Sequence, residues 1–233
     1  YYNAIKAVDP SAQVGVVLSS DAWNKTVMDI IKEKVDFGIF HMYPTPGWDN
    51  EVETLPADKI FNISLEQPQY NFQALFSRNQ TYYRRLTGRT LPFAISEFNG
   101  GYQKDVPLPY RFTLGCALVN AEVIRVLLHP SNHVLFANHW SFVNDSWGMI
   151  SNDSHIRQDT LGRPYYKRPN YHVFDLYSNH FGDVILNAEL QGARRQLPPD
   201  EFIMVKAAWR ISSSNLLSGN WQVTPVSGVA TAQ

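Results

Sequence analysis

Four strand-then-helix alternations in series constrain this chain more than any other feature of its sequence. Residues 13–18 (QVGVVL) are a short β-branched apolar run, the pattern of a strand covered on both faces. Residues 26–34 follow with Val27, Ile30 and Ile31 on one helical face. Residues 37–43 (FGIFHMY) read as a second strand, stopped by Pro44 and Pro46. Residues 72–86 set Phe72, Leu75, Phe76, Tyr83 and Leu86 at helical spacing and end at Thr87-Gly88. Residues 91–98 (LPFAISEF) are a third strand, closed by Asn99-Gly100-Gly101. The longest helix covers 112–128, and residues 133–140 (HVLFANHW) are a fourth strand. A last helix over 171–181 stops at Gly182. Residues 44–68, rich in Pro, Gly, Trp and Asp, read as a long loop, and 141–163 as a polar one.

Strands and helices in this alternation build a parallel sheet with helices outside it. Two architectures fit: a doubly wound open sheet, or half of a (β/α)8 barrel. No Gly-rich phosphate-binding turn follows any strand, which argues against the nucleotide-binding forms of the open sheet. A whole barrel needs eight units, and four are visible. After residue 182 the pattern changes to short strands without helices, at 183–186, 201–209 and 221–226. The expected fold class is therefore α/β, with half a barrel in residues 1–182 and part of a β-sandwich module in 183–233.

Composition narrows the function classes. Of 233 residues, 20 are Lys or Arg and 21 are Asp or Glu, a net charge of −1 that argues against a nucleic-acid partner bound through a basic face. One cysteine, Cys116, allows no disulfide within the chain and no cysteine-rich zinc site; on its apolar helix it reads as an inert buried thiol. The trio His129, His133 and His139 lacks carboxylates at zinc spacing, so neither a metal nor a cofactor is expected. No apolar run reaches the length of a membrane span. Five Asn-X-Ser/Thr triplets, at Asn24, Asn62, Asn79, Asn144 and Asn152, exceed chance and point to a secreted glycoprotein, the last two being the better acceptors.

Chemistry in parallel barrels gathers where strands end. The second strand ends in His41-Met42-Tyr43, the third in Ser96-Glu97-Phe98-Asn99 and the fourth in Asn138-His139-Trp140. Simple alternation puts Phe93, Ile95 and Glu97 on one face, Phe37, Ile39, His41 and Tyr43 on one face, and Val134, Phe136, Asn138 and Trp140 on one face. If these faces line the barrel, Glu97, His41, Tyr43, Asn138 and Trp140 converge at one rim. A carboxylate among Tyr, His and Trp suits a sugar, whose faces stack on aromatic rings. Position alone leaves open a structural ion pair for Glu97, satisfied core roles for His41 and Tyr43, and plain packing for Trp140.

The segment Phe93-Ala94-Ile95-Ser96-Glu97-Phe98-Asn99 resembles the seventh strand of retaining glycoside hydrolases with (β/α)8 barrels, and most of all the α-L-arabinofuranosidases of glycoside hydrolase family 51. Residues 2–12 (YNAIKAVDPSA), His41-Met42-Tyr43 and Arg168-Pro169-Asn170-Tyr171 with Phe181-Gly182-Asp183 are similar to further stretches of that family. Related glucuronidase-like and xylosidase-like families stay open. The resemblance implies the C-terminal half of the barrel, covers roughly residues 1–186 and assigns Glu97 as nucleophile. It also implies that Tyr43 hydrogen-bonds Glu97 and that Trp140 floors the subsite of the reacting sugar. The acid/base glutamate would end the fourth strand of the full barrel, upstream of Tyr1. The partners implied are a carbohydrate substrate and the N-terminal barrel half, from the same parent protein or another chain, without which these residues should not fold. The competing expectations are a catalytically inactive barrel-derived scaffold or carbohydrate-binding protein of an extracellular assembly, and an open-sheet enzyme complete in these residues.

Overall fold

The computed structural model describes residues 1–44, 56–100, 112–144, 147–152, 165–182, 188–191 and 222–225. The chain divides into two compact units, Tyr1–Val173 and Phe174–Gln233. In the first, β1 (Gly15–Val17), β2 (Phe37–Met42), β3 (Phe93–Phe98) and β4 (Val134–His139) lie side by side in sequence order, every neighbouring pair parallel. Parallel neighbours require a crossover. Helix α2 (Asp21–Ile31) supplies the first, α3 (Ala57–Gln67) and α4 (Gln73–Thr87) the second, and α5 (Leu114–Leu127) with a 3₁₀ turn at Pro130–Asn132 the third. The order 1-2-3-4 has no reversal point, so it is the order of a partial barrel rather than of a doubly wound sheet. Helix α1 (Tyr2–Val8) precedes β1, and α6 (Pro169–His180) follows β4. In the second unit, β5 (Ala188–Gln191) and β6 (Gln222–Pro225) pair antiparallel.

Local chemistry sets the element ends. Ser20 caps α2, its hydroxyl accepting from the Trp23 N–H at 3.3 Å, with Asp21 favourably placed in the first turn. Gly88 closes α4 at φ +73°, and its N–H reaches Arg84 O at 2.8 Å. Asp36 ties α1 to the sheet. It accepts from the Val14 N–H at 2.7 Å and pairs with Lys6 at 3.0 Å. Burial works against its charge, but these bonds prevail and hold the carboxyl below its usual range.

Residues 57–67, expected as loop, are helical. The helix does not stop at Pro68: α3 passes through a π-helical turn at Pro68–Phe72 straight into α4. A wider turn accommodates a residue that has no N–H and crowds the carbonyl four positions back. Residues 45–55, the remainder of that expected loop, lie outside the described residues, as do the strands expected at 183–186 and 201–209.

Register identifies the two faces of the four-stranded sheet. Gly38, Phe40 and Met42 pair with Phe93, Ile95 and Phe98. These side chains form the buried layer under the helices: Phe93 lies 5.3 Å from Phe76 of α4 and 5.4 Å from Phe40, centroid to centroid. The opposite, inner face carries Gly15, Val17, Phe37, Ile39 and Ala94. A Cβ on Gly15 would meet the Phe37 ring at 2.4 Å, which fixes their shared side. Phe37 also reaches Phe136 of β4 edge-to-face at 6.3 Å. Val17 and Phe136 are 58% and 47% exposed, so this apolar face is open among the described residues.

Candidate active site

A bulge puts the carboxylate where chemistry can use it. Phe40 pairs with Ile95, but the next residue, His41, pairs with Glu97. The extra residue, Ser96, reverses the alternation. Phe93 and Ile95 therefore face the helices, and Glu97 faces the inner side beside His41. The expectation that Phe93, Ile95 and Glu97 share the inner face is corrected. Strict alternation would have sent Glu97 into the helix layer.

Three expected residues come together at this mouth. Tyr43 donates its phenol proton to Glu97 Oε2 at 2.7 Å. His41 Nδ1 lies 3.2 Å from the same oxygen, with the imidazole half-exposed. Among the described residues both contacts go to Oε2, and no protein donor reaches Glu97 Oε1. Burial, and then the neighbouring carboxylate, push the Tyr43 phenol well above its ordinary pKa. It thus remains a donor at every working pH.

The other two expected residues belong to β4 and its exit. Asn138 is exposed and makes no hydrogen bond to Glu97 among the described residues. Trp140 donates its backbone N–H to Phe98 O at 2.9 Å, and its ring is 46% exposed. The Trp140–Ser141 peptide bond is cis. His139 points to the other side and packs edge-to-face on Phe98 at 5.6 Å; burial drives its pKa down to about 4, so it is neutral there.

Sequence reasoning missed two groups. Trp147 meets the Tyr43 ring edge-to-face at 5.8 Å. It sits in a polar loop whose sequence carries no periodicity. Asn99 donates from Nδ2 to Trp140 O at 2.6 Å and Trp147 O at 3.1 Å. Behind it, Asn120 donates to Asn99 Oδ1 at 3.1 Å and to Asn170 Oδ1 at 2.9 Å. Cys116 is buried as expected, but among these three amides rather than on an apolar face, with Gly100 O 3.2 Å from its sulfur.

Two of the expected glycan acceptors are corrected. Asn24 and Asn79 are 2% and 5% exposed, and Asn24 Nδ2 donates to Asn79 Oδ1 at 3.1 Å. Asn79 Nδ2 donates to Leu75 O at 2.9 Å. Both amide nitrogens are thus committed to hydrogen bonds within the fold rather than offered to an added sugar. Asn62, Asn144 and Asn152 are half-buried, and Asn144 Oδ1 accepts from the Trp147 N–H at 3.0 Å. Among the described residues no three His, Cys, Asp or Glu cluster as a metal site, and no helix is long and apolar enough to cross a membrane.

No protein-family model and no curated protein sequence matches the chain. Solved structures do. A family 51 α-L-arabinofuranosidase from Thermotoga petrophila RKU-1 aligns over 82% of this chain and 38% of its own, with 21% identity and a TM-score of 0.58. AbfB, the family 51 α-L-arabinofuranosidase of Bifidobacterium longum, aligns over 76% of this chain and 37% of its own, at 18% identity and TM-score 0.55. A family 86 glycoside hydrolase in complex with neoagarooctaose gives 76% and 29%, at 16% identity and TM-score 0.56. The chain thus spans less than two fifths of each of these structures. It shares the barrel fold of these glycoside hydrolases over that portion and resembles family 51.

Proposed function

We infer that this chain is the C-terminal barrel half of a retaining glycosidase in which Glu97 is the nucleophile. The observation that carries the reading is the asymmetry of the carboxylate. Tyr43 and His41 both address Oε2, and Oε1 has no protein donor among the described residues. An oxygen held this way can attack an anomeric carbon while the other oxygen keeps its charge stabilised. The likeness in fold to glycoside hydrolase barrels supports the same reading.

In this mechanism Glu97 Oε1 forms a bond to the anomeric carbon as the glycosidic bond breaks. The leaving oxygen takes a proton from a second carboxylic acid about 5–5.5 Å away. Water, deprotonated by that same group, then releases the sugar. The second carboxyl is assigned to the N-terminal barrel half, in the parent protein or a partner chain. That half would also cover the open apolar face around Val17 and Phe136. An α-L-arabinofuranoside is the proposed substrate, Trp140 the proposed platform for the reacting sugar, and Asn138 a further contact of the same rim. Secretion, glycans at Asn62, Asn144 or Asn152, and a β-sandwich module over 183–233 complete the reading.

The test uses the parent protein with the upstream barrel units, assayed on 4-nitrophenyl α-L-arabinofuranoside. Glu97→Gln should cost about 10³-fold or more in kcat. A Glu97→Gln protein that hydrolyses the probe like its parent would overturn the nucleophile. A folded parent inert toward aryl glycosides would favour the scaffold.

A further inference from the structure

We propose that Asn99 is a positioning residue for this site, one amide that fixes the main chain of both Trp140 and Trp147 and so holds Trp147 against Tyr43. The inference rests on the glycosidase reading for its kinetic consequence but not for its geometry. An asparagine amide has two N–H donors, and here both are used, on the carbonyls of Trp140 and Trp147. Those carbonyls lie at the neck of one loop: the Ser141 N–H donates to Trp147 O at 3.2 Å, and the Met149 N–H to Ser141 O at 3.0 Å. Asn99 therefore closes this loop from below.

The orientation of the amide is itself fixed. Asn99 Oδ1 accepts from Asn120 Nδ2, and Asn120 Oδ1 accepts from the Gly100 N–H at 2.6 Å. Asn99, Asn120 and Asn170 are all at most 2% exposed, so water cannot replace a missing partner. Aspartate at position 99 keeps the shape but offers at most one proton, when protonated, where the amide offers two. Leucine keeps the volume and has neither donor nor acceptor.

The contacts form a closed circuit. Glu97 lies two residues before Asn99 on the same strand end. Asn99 grips the loop, the loop's Trp147 ring packs on Tyr43, and Tyr43 donates back to Glu97 Oε2. Releasing the loop frees the ring that packs on Tyr43 and, through the same amide, the main chain of Trp140. Misplacement of an active-site group by about 1 Å costs on the order of 10²-fold in rate.

The experiment is carried out in the parent protein. With 4-nitrophenyl α-L-arabinofuranoside, Asn99→Asp and Trp147→Ala should each raise KM and lower kcat, by about tenfold or more in kcat/KM. The double variant should be no worse than the worse single, because both act through one contact. An unchanged KM, or losses that multiply, overturns the proposal. An activity-free arm labels the protein with 5-fluorotryptophan. The Trp147 resonance, assigned by Trp147→Phe, should shift or broaden in Asn99→Asp while that of Trp23 stays; an unmoved Trp147 resonance overturns the proposal whatever the kinetics. Should Asn99→Asp not fold, Asn120→Ser withdraws the donor to Asn99 Oδ1 and must disturb the same resonance. Glu97→Gln run alongside separates the two readings: if it stays active the nucleophile falls, while the fluorine signal still judges Asn99.

Discussion

Asn24→Ala tests whether this sequon is a glycan acceptor or a piece of the fold. The amide makes three contacts: it accepts from the Ser19 N–H at 2.6 Å, and donates to Ser19 O at 3.2 Å and to Asn79 Oδ1 at 3.1 Å. Ser19 is exposed, so water can take over both backbone groups at little cost. Asn79 is buried, and its Oδ1 loses its cross-helix donor, at about 1–3 kcal/mol for a buried polar atom left alone. With about 1 kcal/mol for the Ser19 contacts, the loss is about 2–4 kcal/mol. For a domain of this size that lowers Tm by about 5–15 °C. The assay is urea and thermal unfolding of the parent protein, with peptide mapping after enzymatic deglycosylation in heavy-oxygen water. Asn24 should carry no glycan, and the alanine variant should unfold early. A variant within about 0.5 kcal/mol of the parent, the range of an ordinary surface substitution, or a sugar on Asn24 in folded protein, refutes the reasoning.

Tyr43→Phe removes the 2.7 Å bond to Glu97 Oε2 and keeps the ring against Trp147. A hydrogen bond to an ionised group is worth about 1.5–3 kcal/mol, so kcat/KM should fall about 10- to 150-fold at unchanged Tm; a loss under about threefold contradicts the assigned role. Gly148→Ala would set its Cβ 2.3 Å from Asn144 N and 2.5 Å from Ile150 O, main-chain atoms that no rotamer change can move. The loop bearing Trp147 should open, with raised KM and about 1–3 kcal/mol less stability, and steady-state kinetics with calorimetry would reveal a silent substitution. Asp36 has a folded pKa below its unfolded value of 3.8, so its contribution is complete above that pH and vanishes as pH falls through the lower, folded value. The stability gap between parent and Asp36→Asn should be constant above about pH 5 and narrow below it, as read by urea unfolding across pH; a gap that widens as pH falls below 3.8 contradicts the assignment.

The strands and their mouths were readable because they obey short-range rules. Apolar runs of strand length ended in His41, Tyr43, Glu97 and Trp140, and proline or glycine marked where the second and third runs stopped. Helix α3 was hidden because it follows directly on a stretch rich in Pro, Gly, Trp and Asp and was read with it as one loop. The neighbours of Glu97 were foreseen through a faulty step: alternation gave the right company and the wrong face for Phe93 and Ile95. The Asn99–Asn120–Asn170 chain could not be read at all. Its members come from three elements, and an asparagine bonded inside a core looks in sequence like one in a turn. The sequons at Asn24 and Asn79 misled for the same reason, since the triplet says nothing of burial.

The single inserted residue at Ser96 separates two kinds of constraint along one strand. Upstream of it, Phe93 and Ile95 answer to the volume between sheet and helices, and downstream Glu97 answers to its partners Tyr43 and His41 and, in the proposed mechanism, to reaction geometry. Odd-numbered positions thus face the helices before the bulge and the inner side after it, without the strand changing its course. Variation can tune the core half of β3, an isoleucine for a valine, without turning the carboxylate. Loss of one residue at the kink would do the reverse. It would leave the composition almost untouched and rotate the Glu97 carboxylate into the hydrocarbon layer. The most damaging change available to this strand is therefore a deletion rather than any substitution.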